Sequence, residues 1–314
     1  LFSKGLVTWD GDDIISENYI KLTDLGKLIL FGDDANLILD DFNLEINKSL
    51  IKPGEINFKD LYYNENILNE ISRLENIFAP ENFNTVCFNL KAKNLSSGLC
   101  ILFYGDPGTG KTESVFQLAK KSGRSIFQVD ISALKDKWVG ESEKNVKGIF
   151  DYYKFLCKKQ SEAPILFLNE ADAILSKRIN VERSVDQMLN SIQNIFLDEM
   201  DKFQGIMIAT TNLQNNFDSA FDRRFIFKLY FETPSSFVRS KIIQNKIPSI
   251  SKKDADYLSE KYTLSGGQLE NVARKYTIRL ALNENEIEKE TLENLFQEEF
   301  RSEEHTSELQ SRQY

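Results

Sequence analysis

The sequence predicts a three-layer α/β fold, a mostly parallel sheet with helices on both faces, followed by an all-helical segment. Three observations carry this. Strand-sized apolar runs alternate with amphipathic helical patterns from residue 58 to about residue 232. The runs are apolar almost throughout, as strands buried on both faces are. From residue 233 to about residue 300 only helical periodicity remains, which reads as a small helical lid.

Taken in order, residues 1–31 run strand, polar tip, strand, then a helix start at Thr23. This small α+β piece resembles the end of a winged-helix domain, which would make nucleic acid a partner. A hairpin and helix with no DNA role fits the same residues. Residues 32–57 are rich in Asp, Asn and Gly, contain Pro53-Gly54 and read as a linker. Residues 58–232 form the large unit. Its expected strands are Leu99–Tyr104, Ser125–Asp130, Ile165–Leu168, Ile206–Thr210 and Ile226–Phe231. Its helical stripes are Ile67, Ile71, Leu74 and Phe78; Val146, Ile149, Phe150, Tyr153 and Cys157; and Val185, Met188, Leu189, Ile192 and Phe196. Residues 233–300 form the lid.

The bulk composition sets limits. The 314 residues are 41% hydrophobic and 28% charged, ordinary for a globular protein. No apolar run reaches the roughly 18–20 residues a membrane span needs. The chain begins with Leu and carries no signal pattern, so an internal fragment of a cytoplasmic protein is expected. Three cysteines without metal-like spacing read as buried free thiols. A net charge of −9 argues against broad attraction to nucleic acid. Residues 301–314 resemble the translation of a sequencing-library adapter. His305, the one histidine, lies there, which leaves no histidine for catalysis.

Four motifs carry chemistry. The first is Gly105-Asp106-Pro107-Gly108-Thr109-Gly110-Lys111-Thr112, placed between an apolar strand and a helical pattern. It fits the pattern of a phosphate-binding loop. Glycines let backbone N–H groups approach phosphate oxygens, and the following helix presents its positive dipole end. Lys111 reaches the β- and γ-phosphates, and the Thr112 hydroxyl is a ligand for Mg²⁺. Mg-ATP is therefore the expected ligand. The second motif is the strand Ile165–Leu168 followed by Asn169-Glu170-Ala171-Asp172. Asn169 would accept a hydrogen bond from a Mg²⁺-bound water or from Thr112 but lacks the negative charge of an Asp, and Glu170 would activate the attacking water. An inactive nucleotide-binding site is the competing reading. The third motif ends an apolar strand at Asn212, a residue able to place that water. The fourth is Phe221-Asp222-Arg223-Arg224-Phe225. Arg224, helped by Arg223, is expected as a finger that enters a neighbouring subunit's site.

Together these motifs resemble the AAA branch of the AAA+ ATPases over residues 58–300. The Asn-Glu-Ala-Asp and Ser-Gly-Gly-Gln segments are similar to those of a bacterial group of AAA-family ATP-binding proteins. The resemblance implies a sheet in the order 5-1-4-3-2, a helical lid, and a homo-oligomeric ring, usually a hexamer, with sites between subunits. Two departures stand out. Asn169 replaces the usual Asp, and Gln268 of Ser265-Gly266-Gly267-Gln268 stands where some relatives place a nucleotide-contacting arginine.

Trp138-Val139-Gly140 resembles the pore loop of protein-threading members, where a flat side chain on a glycine hinge grips unfolded polypeptide without reading it. Residues Ile179–Arg183 stand where a second pore-facing loop would lie. The expected function is ATP-driven remodelling or threading of protein. The alternatives are an ATPase acting on nucleoprotein complexes and a nucleotide-gated scaffold slowed by Asn169.

Overall fold

The structure is a computed structural model describing residues 7–10, 19–22, 26, 50–131, 142–177, 184–213, 217–282 and 292–301. Strands β1 (Val7–Asp10) and β2 (Tyr19–Leu22) pair antiparallel, Val7 opposite Leu22. That hairpin is the described part of the N-terminal piece. Apart from Gly26, the helix expected after Thr23 lies outside the described residues, as do residues 32–49.

A short strand β3 (Leu50–Ile51) follows, then a single turn at Pro53–Glu55. Helix α1 (Glu65–Phe78) buries Ile67, Ile71, Leu74 and Phe78, the stripe its spacing predicts. Ala79 leaves helical geometry (ψ 132°) and Pro80 opens α2 (Pro80–Ala92), since proline suits a first helical position. The main unit then alternates strands and helices. These are β4 (Leu99–Gly105), α3 (Lys111–Ser122), β5 (Ile126–Asp130), α4 (Ser142–Lys159), β6 (Ile165–Asn169), the single-turn α5 (Asp172–Leu175), α6 (Ser184–Asp201), β7 (Ile206–Thr211), the single-turn α7 (Ser219–Asp222) and β8 (Phe227–Phe231).

The sheet order is β3-β5-β6-β7-β4-β8. Apart from β3, this is the order 5-1-4-3-2 read from the other edge, with every pair parallel. The addition is β3, which pairs antiparallel with β5 from inside the expected linker and makes the sheet mixed. Two residues carry no strand periodicity, so pairing alone could reveal them.

Alternate residues of each strand face opposite cores. On one side Leu102, Phe127, Leu166 and Met207 pack against α4 and α6. On the other, Ile101, Phe103, Phe167 and Ile208 pack against α1, α2 and α3. Arg124, fully buried, ties the second side together. Its guanidinium donates to Phe78 O (2.9 Å) and Ala163 O (2.7 Å), lies 3.5 Å from Glu162 and sits 4.6 Å over the Phe83 ring.

The C-terminal part has its own core, built on α8 (Ser236–Lys246), α9 (Lys252–Lys261), α10 (Gly266–Ala281) and the helical segment 292–301. Ser235, Ser251 and Ser265 cap the first three of these helices. No helix among the described residues is long and apolar enough to cross a membrane. Cys100 is buried, and Cys87 and Cys157 are half-buried free thiols.

Candidate active site

The parallel strands end at one edge of the sheet, where α/β proteins place their ligands. The loop 105–110 leaves β4 there and turns into α3. Gly105, Gly108 and Gly110 take φ of 131°, 73° and 95°, a region side chains disfavour. At Gly108 a Cβ would also lie 2.7 Å from Ser265 Oγ.

The loop closes around Lys111. Its Nζ donates to Gly105 O and Asp106 O, both at 2.7 Å, and makes no salt bridge with a described carboxylate. Burial pushes its pKa down to about 8, partly offset by the charges of Asp106 and Asp172. A buried ammonium held by neutral carbonyls fits an incoming anion, which would supply the missing counter-charge. Thr109 Oγ1 donates to Asp106 O at 2.8 Å and steadies the loop.

Beside the loop, β6 and β7 pair Leu168 with Ala209, so Asn169 and Thr210 are neighbours one residue further on. Asn169 Oδ1 accepts from Thr112 Oγ1 and from Thr210 Oγ1, each at 3.2 Å. Thr210 Oγ1 in turn accepts the Glu170 N–H at 3.3 Å. Glu170 holds φ +51°, unusual for a residue with a side chain, and its side chain is exposed in the cavity. Asp172 accepts from the Thr211 hydroxyl and, at 3.1 Å, from the Asn212 N–H.

These groups line a cavity of about 460 Å³, within the usual size of ligand sites. Pro107 to Glu113, Asn169, Glu170, Thr210, Thr211 and Asn212 form one end. The other end is made by Lys59 to Asn64, Ile67, Phe231, Pro234, Ile242, Asn245 and Lys246, with Gly266, Gly267 and Glu270 above. The described residues hold no cluster of three or more acidic, Cys or His groups suited to a metal. A hard cation would therefore need phosphate oxygens beside the oxygens of Thr112 and its neighbours, which is how Mg²⁺ enters nucleotide sites.

The profile of the family described as "ATPase family associated with various cellular activities (AAA)" matches residues 101–233. These residues are an AAA domain. Cell division protein C of Sulfolobus acidocaldarius is 32% identical over 177 residues, covering 52% of this chain and 46% of that protein. An Arabidopsis thaliana "ATPase family AAA domain-containing protein" is 31% identical over 196 residues, 58% of this chain and 28% of its own length. A probable spastin homologue of Caenorhabditis briggsae is 29% identical over 183 residues, 53% and 32%. The chain thus spans less than half the length of each of these relatives.

Several expected site residues of the AAA domain meet at the cavity: Pro107, Gly108, Thr109, Gly110, Lys111, Thr112, Asn169, Glu170 and Asn212. Asp106 does not line it; its side chain accepts from Thr233 Oγ1 at 3.4 Å. Gln268, expected as a nucleotide contact, is engaged otherwise. Its Oε1 accepts the Ser265 N–H at 2.6 Å in a capping box, and Gly266, Gly267 and Glu270 face the cavity instead. Arg224, expected as the finger, is paired in this chain. Its guanidinium forks onto Asp201 (2.8 and 2.6 Å) and donates to Ala220 O (2.7 Å). Arg223 is the exposed member of the pair. Trp138, Val139 and Gly140, and residues Ile179–Arg183, lie outside the described residues.

The segment before α1 lacks any chemistry-bearing motif, so its place at the cavity was not legible. It is strapped to α3 by Lys59–Glu113 (2.7 Å), Tyr63 with Ser114 Oγ (2.7 Å) and Gln117 to Asn57 O (3.0 Å). Asn64 bridges to the start of the lid, donating to Thr233 O (3.3 Å) and accepting Ser235 N–H (2.9 Å). The aromatic run Leu61-Tyr62-Tyr63 was the available signal.

Proposed function

We propose that this chain is an ATP-hydrolysing AAA module that works in a homo-oligomeric ring, a hexamer in the usual arrangement, and remodels or threads protein. The observation that carries this reading is the convergence of Lys111, Thr112, Glu170 and Asn212 on one cavity at the strand ends.

Each residue has a role. Backbone N–H groups of the loop 107–112 and the Lys111 ammonium bind the β- and γ-phosphates. Thr112 would hold Mg²⁺ through its hydroxyl oxygen, and the cation would supply charge neutralisation at the phosphates. Asn212 orients the attacking water and Glu170 accepts its proton. The water oxygen bonds to the γ-phosphorus as the bond to the β–γ bridging oxygen breaks, leaving ADP and phosphate. Arg223 stabilises the developing charge in a neighbouring subunit's site.

Protein as the substrate rests on Trp138-Val139-Gly140, an aromatic-aliphatic-glycine sequence that resembles the pore loop of protein-threading members. A nucleotide-gated scaffold is the second reading, favoured by the neutral Asn169.

Mg-dependent ATP hydrolysis by the chain, compared with Glu170→Gln and Asn169→Asp, tests the first reading. Turnover that collapses in Glu170→Gln supports it, and a faster Asn169→Asp identifies Asn169 as a brake. ATP binding and assembly without turnover would sink the hydrolysis reading and leave the scaffold. Loss of stimulation by unfolded protein in Trp138→Ala supports threading; unchanged stimulation removes it.

A further inference from the structure

Asn169 poses a problem of chemistry. An amide is ambidentate: one face accepts hydrogen bonds and the other donates them. A metal-facing hydroxyl on Thr112 must point its proton away from the cation and its lone pairs toward it. A carboxylate at position 169 would enforce that, because it only accepts. An asparagine enforces it only if something fixes which face meets Thr112.

The structure contains such a device. Thr210 is 3% exposed and lines the cavity between Asn169 and Glu170. Its hydroxyl proton goes to Asn169 Oδ1 at 3.2 Å, and its oxygen takes the Glu170 N–H at 3.3 Å. Asn169 Oδ1 receives a second proton from Thr112 at 3.2 Å, which fills both of its lone-pair directions. With its proton spent on Asn169, Thr112 has only lone pairs left for the cavity. A flipped amide would turn N–H donors onto Thr210, which already accepts from Glu170. The buried Thr210 proton would then need another acceptor, and leaving it without one is unfavourable.

We propose that Thr210 is a positioning residue of this site. With Asn169 it builds a neutral hydroxyl–amide–hydroxyl relay, Thr112–Asn169–Thr210, that aims the Thr112 oxygen at Mg²⁺ and anchors the Glu170 backbone. The inference rests on the Mg-ATP reading above. It also chooses between the two roles expected of Asn169. With both lone pairs engaged, Asn169 acts through Thr112 and not through a metal-bound water.

The test compares wild type, Thr210→Val, Thr210→Ser, Asn169→Asp and Asn169→Asp/Thr210→Val, each in the whole chain. Binding of a fluorescent ATP analogue is followed in EDTA and across a Mg²⁺ titration, and kcat and KM are measured separately. Thr210→Val should raise the Mg²⁺ concentration for half-maximal tight binding about tenfold and lower kcat about tenfold. Metal-free binding should stay within about twofold, because the phosphate loop is untouched. Thr210→Ser keeps the hydroxyl and should restore both properties. In the Asn169→Asp background, Thr210→Val should cost less than about threefold, since a carboxylate has no donor face to turn. An unchanged Mg²⁺ requirement in Thr210→Val overturns the relay. So does a Thr210→Ser variant as impaired as Thr210→Val, which would mean packing alone, or an equal loss in the Asn169→Asp background. Failure of wild type to bind the analogue sinks the Mg-ATP reading and the relay together. Binding without turnover leaves the Mg²⁺ titration to decide the relay by itself.

Discussion

The Gly267 N–H, in the first turn of α10, donates to the carbonyl oxygen of Gly108 in the phosphate loop at 2.8 Å. The lid therefore touches the loop backbone directly, and close approach is what the glycines permit. A Cβ on Gly267 would lie 3.2 Å from Gly108 Cα. Gly108→Ala adds a Cβ 2.7 Å from Ser265 Oγ at a φ of +73°. It is expected to cost about 1–3 kcal/mol of stability. It should also weaken nucleotide binding, since the loop and the lid must both shift. Thermal melting and nucleotide titration check this.

Lys111→Met should act in opposite directions with and without ligand. The buried ammonium has no salt bridge to a described carboxylate and its pKa is pushed down to about 8 by burial. Removing that charge should leave the ligand-free protein as stable as wild type or more so. The same variant should lose the stabilisation by Mg-ATP, about 2.7 kcal/mol at 100-fold excess over Kd in wild type. Melting curves with and without Mg-ATP check both signs.

The two adjacent arginines should separate cleanly. Arg224→Ala removes a forked pair with Asp201, whose side chain is 55% exposed. Solvent screening limits the loss to about 0.2–1 kcal/mol. Arg223→Ala should change monomer stability by less than about 0.5 kcal/mol yet lower turnover of the assembled protein by about 10³. Turnover measured as a function of protein concentration, beside urea denaturation, distinguishes the two.

Arg124→Met should cost about 3–5 kcal/mol in chemical denaturation. It leaves Phe78 O and Ala163 O without their buried donor and Glu162 without its cation. Arg124→Lys should not rescue, because an ammonium lacks the planar fork that reaches both carbonyls while lying over Phe83.

Burial pushes the Cys100 thiol up to about 12, with Asp201 adding to the shift. The folded state holds the proton that the unfolded chain releases near pH 9. The stabilising contribution is therefore full below pH 9 and declines as pH rises from about 9 to about 12. Alkylation at pH 8 should modify Cys100 only after unfolding. Mass mapping of alkylated peptides with and without urea checks this.

Much of the fold was legible because periodicity is a local property. Ile67, Ile71, Leu74 and Phe78 announced α1, and the apolar runs announced the five parallel strands. The phosphate loop was legible for a related reason: its chemistry lies within eight consecutive residues, 105–112. The sequence by itself thus determined the layer architecture, the loop and the strand-end polar residues Asn169, Glu170 and Asn212. Tertiary structure alone decided the rest. Strand β3 exists through pairing with β5. The segment Lys59–Asn64 reaches the cavity because side chains of α3 strap it there. Arg224 was claimed by Asp201, and Thr210 joined Asn169 to Glu170. Each of these outcomes depends on which partner a polar group finds, and most of those partners lie dozens of residues away in the chain.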